Sequence, residues 1–382
     1  MAREGSSQLQ GEDMPSIRKG VLAVALACAA AEADASCGAA FCLVNTDWSV
    51  QGAWTEPGAR FDLRYESVDL DQPRSGRDRI GVGEIPRHHD EVETRNRNLV
   101  GIVDWGFSPA WGVTVSVPYV DRDHTHIHNH HGEKILETWS FRELGDVRVL
   151  GRYEFLREAS DPAAPRIAGL TLGLKLPTGK HDVKNSEGDE AERTLQPGTG
   201  TTDLVLGAHW HGAAPRTAGL SLGFKLPTGK HDVTNAEGAE AERTLQPGTG
   251  TTDLVAGAHW HAAAPLADWS WFAQVQGVVP LTERDGFKPG NQIQVDGGVR
   301  YAIRDVALML QVNYQAKGRD SGVNAEPEDS GQRAVYLSPG ISWNLGRRAQ
   351  LYAFAQVPLY QSVNGVQLTS DYTFLVGVSS RF

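Results

Sequence analysis

The stretch LGLKLPTGKHDVKNSEGDEAERTLQPGTGTTDLVLGAHWH occupies residues 172–211, and LGFKLPTGKHDVTNAEGAEAERTLQPGTGTTDLVAGAHWH occupies residues 222–261. Of the 50 residues in 163–212, 42 recur unchanged in 213–262. Each copy reads as a strand, a long loop, a return strand and a short turn, which together make one hairpin. In the first strand Leu170, Leu172, Leu174 and Leu176 alternate with Thr171, Gly173 and Lys175, the period of a strand with one apolar face. A globular core would have to bury a second layer to accept such a block. A closed antiparallel barrel only gains two neighbouring strands, keeps an even count and widens, because its diameter grows with strand number. The differences respect that reading: Leu174/Phe224 and Leu206/Ala256 stay apolar, while Lys184/Thr234 and Asp189/Ala239 fall in the loop.

The same alternation continues on both sides of the repeat. Fourteen strands are expected at about 58–70, 98–107, 111–121, 144–156, 167–177, 203–212, 217–227, 253–262, 269–281, 291–303, 306–316, 334–343, 349–360 and 370–382. Connections after the odd-numbered strands are mostly long (71–97, 122–143, 178–202, 228–252), and those after the even-numbered strands are mostly short, such as 108–110 and 346–348. Short turns at one end and long loops at the other describe an all-β, transmembrane, antiparallel up-and-down barrel. Fourteen strands leave room for a lumen.

Alternation alone does not say which face meets water. Tryptophan does. Trp105, Trp111, Trp210, Trp260, Trp269, Trp271 and Trp343 all sit at strand ends beside short turns and on the apolar parity. One aromatic rim marks a lipid–water interface, whereas a soluble sandwich would scatter its rings through the core. The ending YTFLVGVSSRF places Tyr372, Phe374, Val376, Val378 and Phe382 on one parity, like a closing strand read by the outer-membrane insertion machinery. The expected partners are therefore the outer-membrane bilayer, that machinery through Phe382, and a small-molecule solute.

Composition agrees. Hydrophobic residues make up 40% of 382, and no run of 18 uncharged apolar residues exists, which excludes a helical membrane protein. A net charge of −11 without a basic stripe argues against a nucleic-acid partner. Near the start, Arg18 and Lys19 precede GVLAVALACAAA, followed by Ala33-Asp34-Ala35. Residues 1–35 thus read as a secretory signal peptide, with Met14 the more usual start and 1–13 an extension ahead of it. Cys28 follows a poor lipoprotein signal, and Cys37 and Cys42, in CGAAFC, read as a local disulfide in an oxidising compartment. Residues 36–57 are left as a periplasmic or plug segment, and 58–382 as the barrel.

The stretches GDVRVLGRYEF from Gly145, LGLKLPTGK from Leu172 and LQPGTGTTDLVLGAHW from Leu195 resemble an outer-membrane transporter family associated with the meta-pathway of phenol degradation. The resemblance covers about 145–382. It implies a β-barrel that moves organic compounds. The second hairpin, the cysteine pair and the histidine-rich segment depart from the family's pattern.

The face opposite the apolar row carries Arg60, Asp62, Arg64 and Glu66, then Asp146, Arg148, Arg152 and Glu154. Lys175, Lys225, Gln294, Asp296 and Arg300 continue it. These are the expected lumen-lining residues, since such groups are costly in lipid and well solvated in a channel. They could equally pair across strands and stiffen the wall. DRDHTHIHNHHGE holds His124, His126, His128, His130 and His131 in a segment expected to be an outer loop. Imidazoles suit Zn, Cu or Ni, so a surface metal-binding barrel is the alternative to a channel; a solvated polar loop and a pH-sensitive gate are further readings. Otherwise no cofactor is implied. GLKLPTGK is not a phosphate loop: five residues, not four, separate Gly173 from Gly179-Lys180, and His181 stands where Ser or Thr would bind magnesium. No nucleophile–base–oxyanion grouping is visible, so no enzyme is expected.

Overall fold

The computed structural model describes residues 58–85, 90–130, 133–158, 166–189, 191, 195–212, 216–228, 249–263, 268–325, 327–346 and 348–382. The proposed signal peptide, the 36–57 segment and the Cys37–Cys42 pair lie outside them. No helix among the described residues is long and apolar enough to cross a membrane.

The strands are β1 (Gly58–Ser75), β2 (Asp78–Arg79), β3 (Asp90–Gly106), β4 (Trp111–His130), β5 (Glu133–Leu144), β6 (Val147–Glu158), β7 (Arg166–Leu176) and β8 (Asp203–His211). They continue as β9 (Arg216–Leu226), β10 (Asp253–Ala263), β11 (Trp269–Pro280), β12 (Gln292–Ile303), β13 (Val306–Lys317), β14 (Gln332–Leu345), β15 (Ala349–Val363) and β16 (Val366–Arg381). β2 is a two-residue flap on β1, and β5 prolongs β6 past a break at Gly145-Asp146, so fourteen strands form the wall. Each pairs antiparallel with its neighbour, and β16 pairs with β1 from Arg60↔Arg381 to Ser75↔Val366, which closes the ring. At that seam the Phe382 N–H donates to the Ala59 carbonyl at 2.8 Å. The two copies of the repeat supply β7–β8 and β9–β10, adjacent in the wall.

The faces are inside-out relative to a soluble protein. Leu99, Val103, Trp105, Trp111, Leu170, Leu172, Leu206, Leu308, Leu310 and Val312 are exposed on the outside. Asn96, Asn98, Gln311 and Ser338 are completely buried on the inside. Trp105, Trp111, Trp210, Trp260, Trp269 and Trp343 stand exposed at the short-turn end, as the girdle reading expects, while Trp271 is half-buried there.

Interior packing depends on glycines opposite rings. Gly340 pairs with Phe354 and Gly377 with Tyr352, and in each case a Cβ on the glycine would penetrate the ring. The rings lie flat against the wall because the neighbouring strand carries only a hydrogen there. His209 crosses Gly169 in the same way, and the repeat preserves the pairing as His259 opposite Gly219.

The Pro-Thr-Gly sequence that imitates a phosphate loop has a local structural task. Thr178 Oγ1 accepts from the Val147 N–H at 2.8 Å and donates to the Gly145 carbonyl at 3.1 Å. Thr228 Oγ1 accepts from the Leu204 N–H at 3.1 Å. Each hydroxyl satisfies an amide at the start of the preceding strand, where the ladder would otherwise leave a donor unpaired.

Candidate functional site

The inward residues are knitted together. Arg60 Nε donates to Asp104 at 2.7 Å, and Thr114 Oγ1 donates to the same carboxylate at 2.6 Å. Arg64 pairs with Glu66 at 2.7 Å, Arg152 with Glu154 at 3.1 Å, and Lys175 with Asp203 at 2.5 Å. The equivalent pair in the second copy joins Lys225 and Asp253. The Tyr352 hydroxyl donates to Asp62 at 2.9 Å. Burying these charges without partners would cost several kcal/mol each, so the pairing is what lets them occupy the interior.

From β12 to β15 the chemistry changes from ions to amides. Asp296 accepts from Asn313 at 2.8 Å and from Gln294 at 3.0 Å, and Ser338 Oγ donates to Asn313 Oδ1 at 2.7 Å. Toward the short-turn end the inward row becomes apolar, with Phe272, Met309, Tyr352, Phe354 and Leu375 in one cluster. Arg148 and Arg300 share the inward parity and are half-buried. Asp146 stands differently from its expectation as a wall residue. It is buried at the β5–β6 break and accepts from the Gly179 N–H at 3.0 Å, the Thr199 N–H at 2.8 Å and Thr199 Oγ1 at 2.6 Å. It therefore clamps both ends of the 177–202 connection.

The expected loop 122–143 is instead a hairpin arm. β4 runs on to His130, and β5 returns beside it from Glu133, in register from Tyr119↔Leu144 to His130↔Glu133. The outward side of the arm shows where the membrane ends. Tyr65, Leu99, Tyr119 and Leu144 form the last apolar row in register across β1, β3, β4 and β5. One step further, Arg97, Asp121 and Arg142 stand side by side, with Arg142 Nε 3.2 Å from Asp121 and Arg97 Nη2 2.6 Å from Asp123. Charges at that level belong to the aqueous side.

The inner side of the arm carries the histidines. Thr94 Oγ1 lies 2.8 Å from His124 Nδ1, His124 Nε2 lies 3.0 Å from His126 Nδ1, and His126 Nε2 lies 3.0 Å from Glu137 Oε2. A carboxylate at one end sets every proton in a neutral chain: His126 donates to Glu137, His124 to His126, and Thr94 to His124. Burial pushes the His124 imidazole down to about 3, with His126 and Arg122 beside it adding to the effect. The 177–202 connection covers this surface. Trp139 packs with Ala191 and Leu195 and donates from Nε1 to the Asp189 carbonyl at 3.1 Å; Arg122 Nη1 donates to the Leu195 carbonyl at 2.8 Å. Val183 packs against Val120 and Phe141.

Both ring nitrogens of His124 and of His126 are thus engaged, and among the described residues no group of three His, Cys, Asp or Glu is arranged to hold a metal ion. His128 and His130 lie on β4; their side chains, and all of His131, are outside the described residues. Thr94, Glu137 and Trp139 were not read from the sequence as part of this group, although His124, His126, His128 and His130 recur with the period of a strand.

A narrow cleft with a cavity volume of only about 20 Å³ lies inside the barrel toward the long-loop end, between β1 and the β13–β16 wall. Val68, Leu70, Leu368, Val363 and Ala334 make its apolar side, and Gln315, Gln356, Gln361 and Thr373 its polar side.

With this geometry in place, the chain can be compared with known proteins. Residues 176–370, just over half of the chain, match the model of the family described as MetA-pathway of phenol degradation. The chain belongs to this family. No curated protein matches it by sequence. Among solved structures, an outer membrane channel from Pseudomonas putida F1 is similar with a TM-score of 0.50 and 10% identity, over 89% of this chain and 100% of that one. A FadL homologue from Pseudomonas aeruginosa is similar at TM-score 0.41 and 9% identity, over 85% of this chain and 89% of that one. A loop-deleted OmpT, an outer membrane protein of Vibrio cholerae, gives 0.40 and 9%, over 85% and 98%. A closed antiparallel barrel with this fold and an apolar outer belt is a protein of the bacterial outer membrane.

Proposed function

We propose that this family member is a passive channel for small solutes, selecting by shape and by the polarity of its interior. The observation that carries the reading is the two-faced wall: hydrocarbon outside, and inside a continuous lining of ion pairs and amides interrupted by the apolar cleft. Fourteen strands exceed the roughly eight whose own side chains fill a barrel. The apolar side of the cleft and the family description support organic compounds as cargo. Interspersed charges of both signs favour weak ion selectivity. The exposed Phe382, beside the β1–β16 seam, supports recognition of the closing strand by the insertion machinery.

Planar-bilayer recording of the purified protein tests the reading. Discrete conductance steps are expected, with liposome swelling faster for small neutral organic solutes than for sugars of similar size. Silence at every voltage, with no swelling, would overturn it.

A further inference from the structure

Inside the barrel the guanidinium groups are treated unequally. On the arc from β1 to β6, Arg60 meets Asp104, Arg64 meets Glu66 and Arg152 meets Glu154. Arg300, on the inward face of β12 toward the short-turn end, has no such partner. It is half-buried, and among the described residues it makes no hydrogen bond and no ion pair. Asp296 stands on the same face of the same strand, but four residues away, roughly 13 Å along a strand, with the bare Gly298 between them. Its two oxygens are already held by Asn313 and Gln294.

The neighbours of Arg300 supply donors and no carboxylate. Ser270 lies directly across from it on β11, and its hydroxyl makes no side-chain hydrogen bond among the described residues. One strand further, His261 faces inward on β10, two positions from Ala263, which pairs with Ser270. The charge of Arg300 reaches that imidazole, which also makes no hydrogen bond among the described residues. On the other side, Met309 pairs with Arg300 and offers no charge. A positive group half out of water, with uncommitted donors beside it and no counter-charge, attracts an anion and repels a cation.

We infer that Arg300, flanked by Ser270 and His261, is a docking point inside the barrel for the carboxylate of a small organic acid. The planar fork of a guanidinium matches a carboxylate bidentately. One positive charge balances one negative, which favours a carboxylate over a dianion such as phosphate. The inference rests on the channel reading and adds to it a class of cargo and the place where that cargo is held.

The test uses the full chain in planar bilayers and, in parallel, in lipid nanodiscs with arginine labelled at Cζ for NMR. Benzoate should block the chloride current saturably and shift the Arg300 Cζ resonance, which is assigned by its loss in Arg300→Gln. Benzyl alcohol, the same ring without the charge, and benzylamine should need about tenfold higher concentrations, the weight of a charge-assisted hydrogen bond. In Arg300→Gln the half-blocking concentration of benzoate should rise about tenfold, to that of the alcohol. Arg300→Lys keeps the charge and loses the fork, and should raise it about threefold. Arg304→Gln removes the same charge from the exposed turn just beyond β12 and should leave it unchanged. Inorganic phosphate should block more weakly than benzoate. Block that is unchanged in Arg300→Gln, that falls equally in Arg304→Gln, or that is stronger with phosphate would overturn the inference. Conductance without benzoate block would reject the docking point and keep the channel. A saturable Arg300 shift in a chain that never conducts would keep the docking point and reject the channel.

Discussion

The membrane wall and the β4–β5 arm share one backbone pattern and meet different surroundings. In both, side chains alternate between an inner and an outer face. In the wall the outer face is Leu, Val and Trp. In the arm it is mainly hydrophilic, with Asp121, Asp123, Thr138, Ser140 and Arg142 and a single exposed leucine, Leu136, near the tip, and Ser140 Oγ donates to Asp123 at 2.6 Å. The inner faces differ in the opposite sense. The wall's is mostly ionic and amide, whereas the arm's holds Trp139, Phe141 and the histidine chain beneath a folded connection. Past the Tyr65–Leu99–Tyr119–Leu144 row, the sheet turns from an inside-out protein into an ordinary one. Period tells which residues share a face; only their chemistry tells which solvent that face meets.

The largest test of this contrast acts on the arm. Trp139→Ala should cost about 3–5 kcal/mol in the contact between arm and connection, as buried ring deletions do. Hydrogen exchange should quicken across 120–143 and 177–202 while the wall keeps its protection. Equal loosening of the wall would show that the two regions are not separate cooperative units.

A matched pair of charges sharpens the boundary. Leu172, nearly half exposed in the middle of β7, faces lipid; Leu172→Arg should destabilise folding into liposomes by about 2–4 kcal/mol, read from urea titration. Thr138→Arg, exposed on the outer face of the arm, should change stability by less than about 0.5 kcal/mol. Similar costs at both sites would break the comparison.

Acid should act on the arm more gently. His124 is held at about 3 in the fold against an ordinary 6.5, so the unfolded arm binds the proton more readily. Its stabilisation is complete above about 6.5 and is lost progressively as pH falls toward about 3. Exchange in 120–143, corrected for intrinsic rate, should rise through that window, and the rise attributable to this residue should vanish in His124→Gln.

The strand order, the two faces and the tryptophan rim were legible because lipid demands apolar side chains at every second position. The arm was not, because its outer positions are mostly hydrophilic and the strand signal sought was an apolar one. The row His124, His126, His128, His130 kept the right period under a different chemistry. Asp146 looked like one more wall carboxylate, since nothing local shows that residues 33 and 53 positions later return to it as Gly179 and Thr199. The glycine–ring pairs and the cleft stayed hidden for the same reason. They depend on register between strands, and a one-residue slip would dissolve them.

The β1–β16 seam has a consequence for biogenesis. A nascent chain that has not yet produced its final strand presents two raw edges of unpaired amides and carbonyls, which hydrocarbon does not tolerate. Insertion therefore cannot proceed hairpin by hairpin in bare lipid. Either the ring shuts as it enters, or a chaperoning surface shields both edges until the last strand arrives.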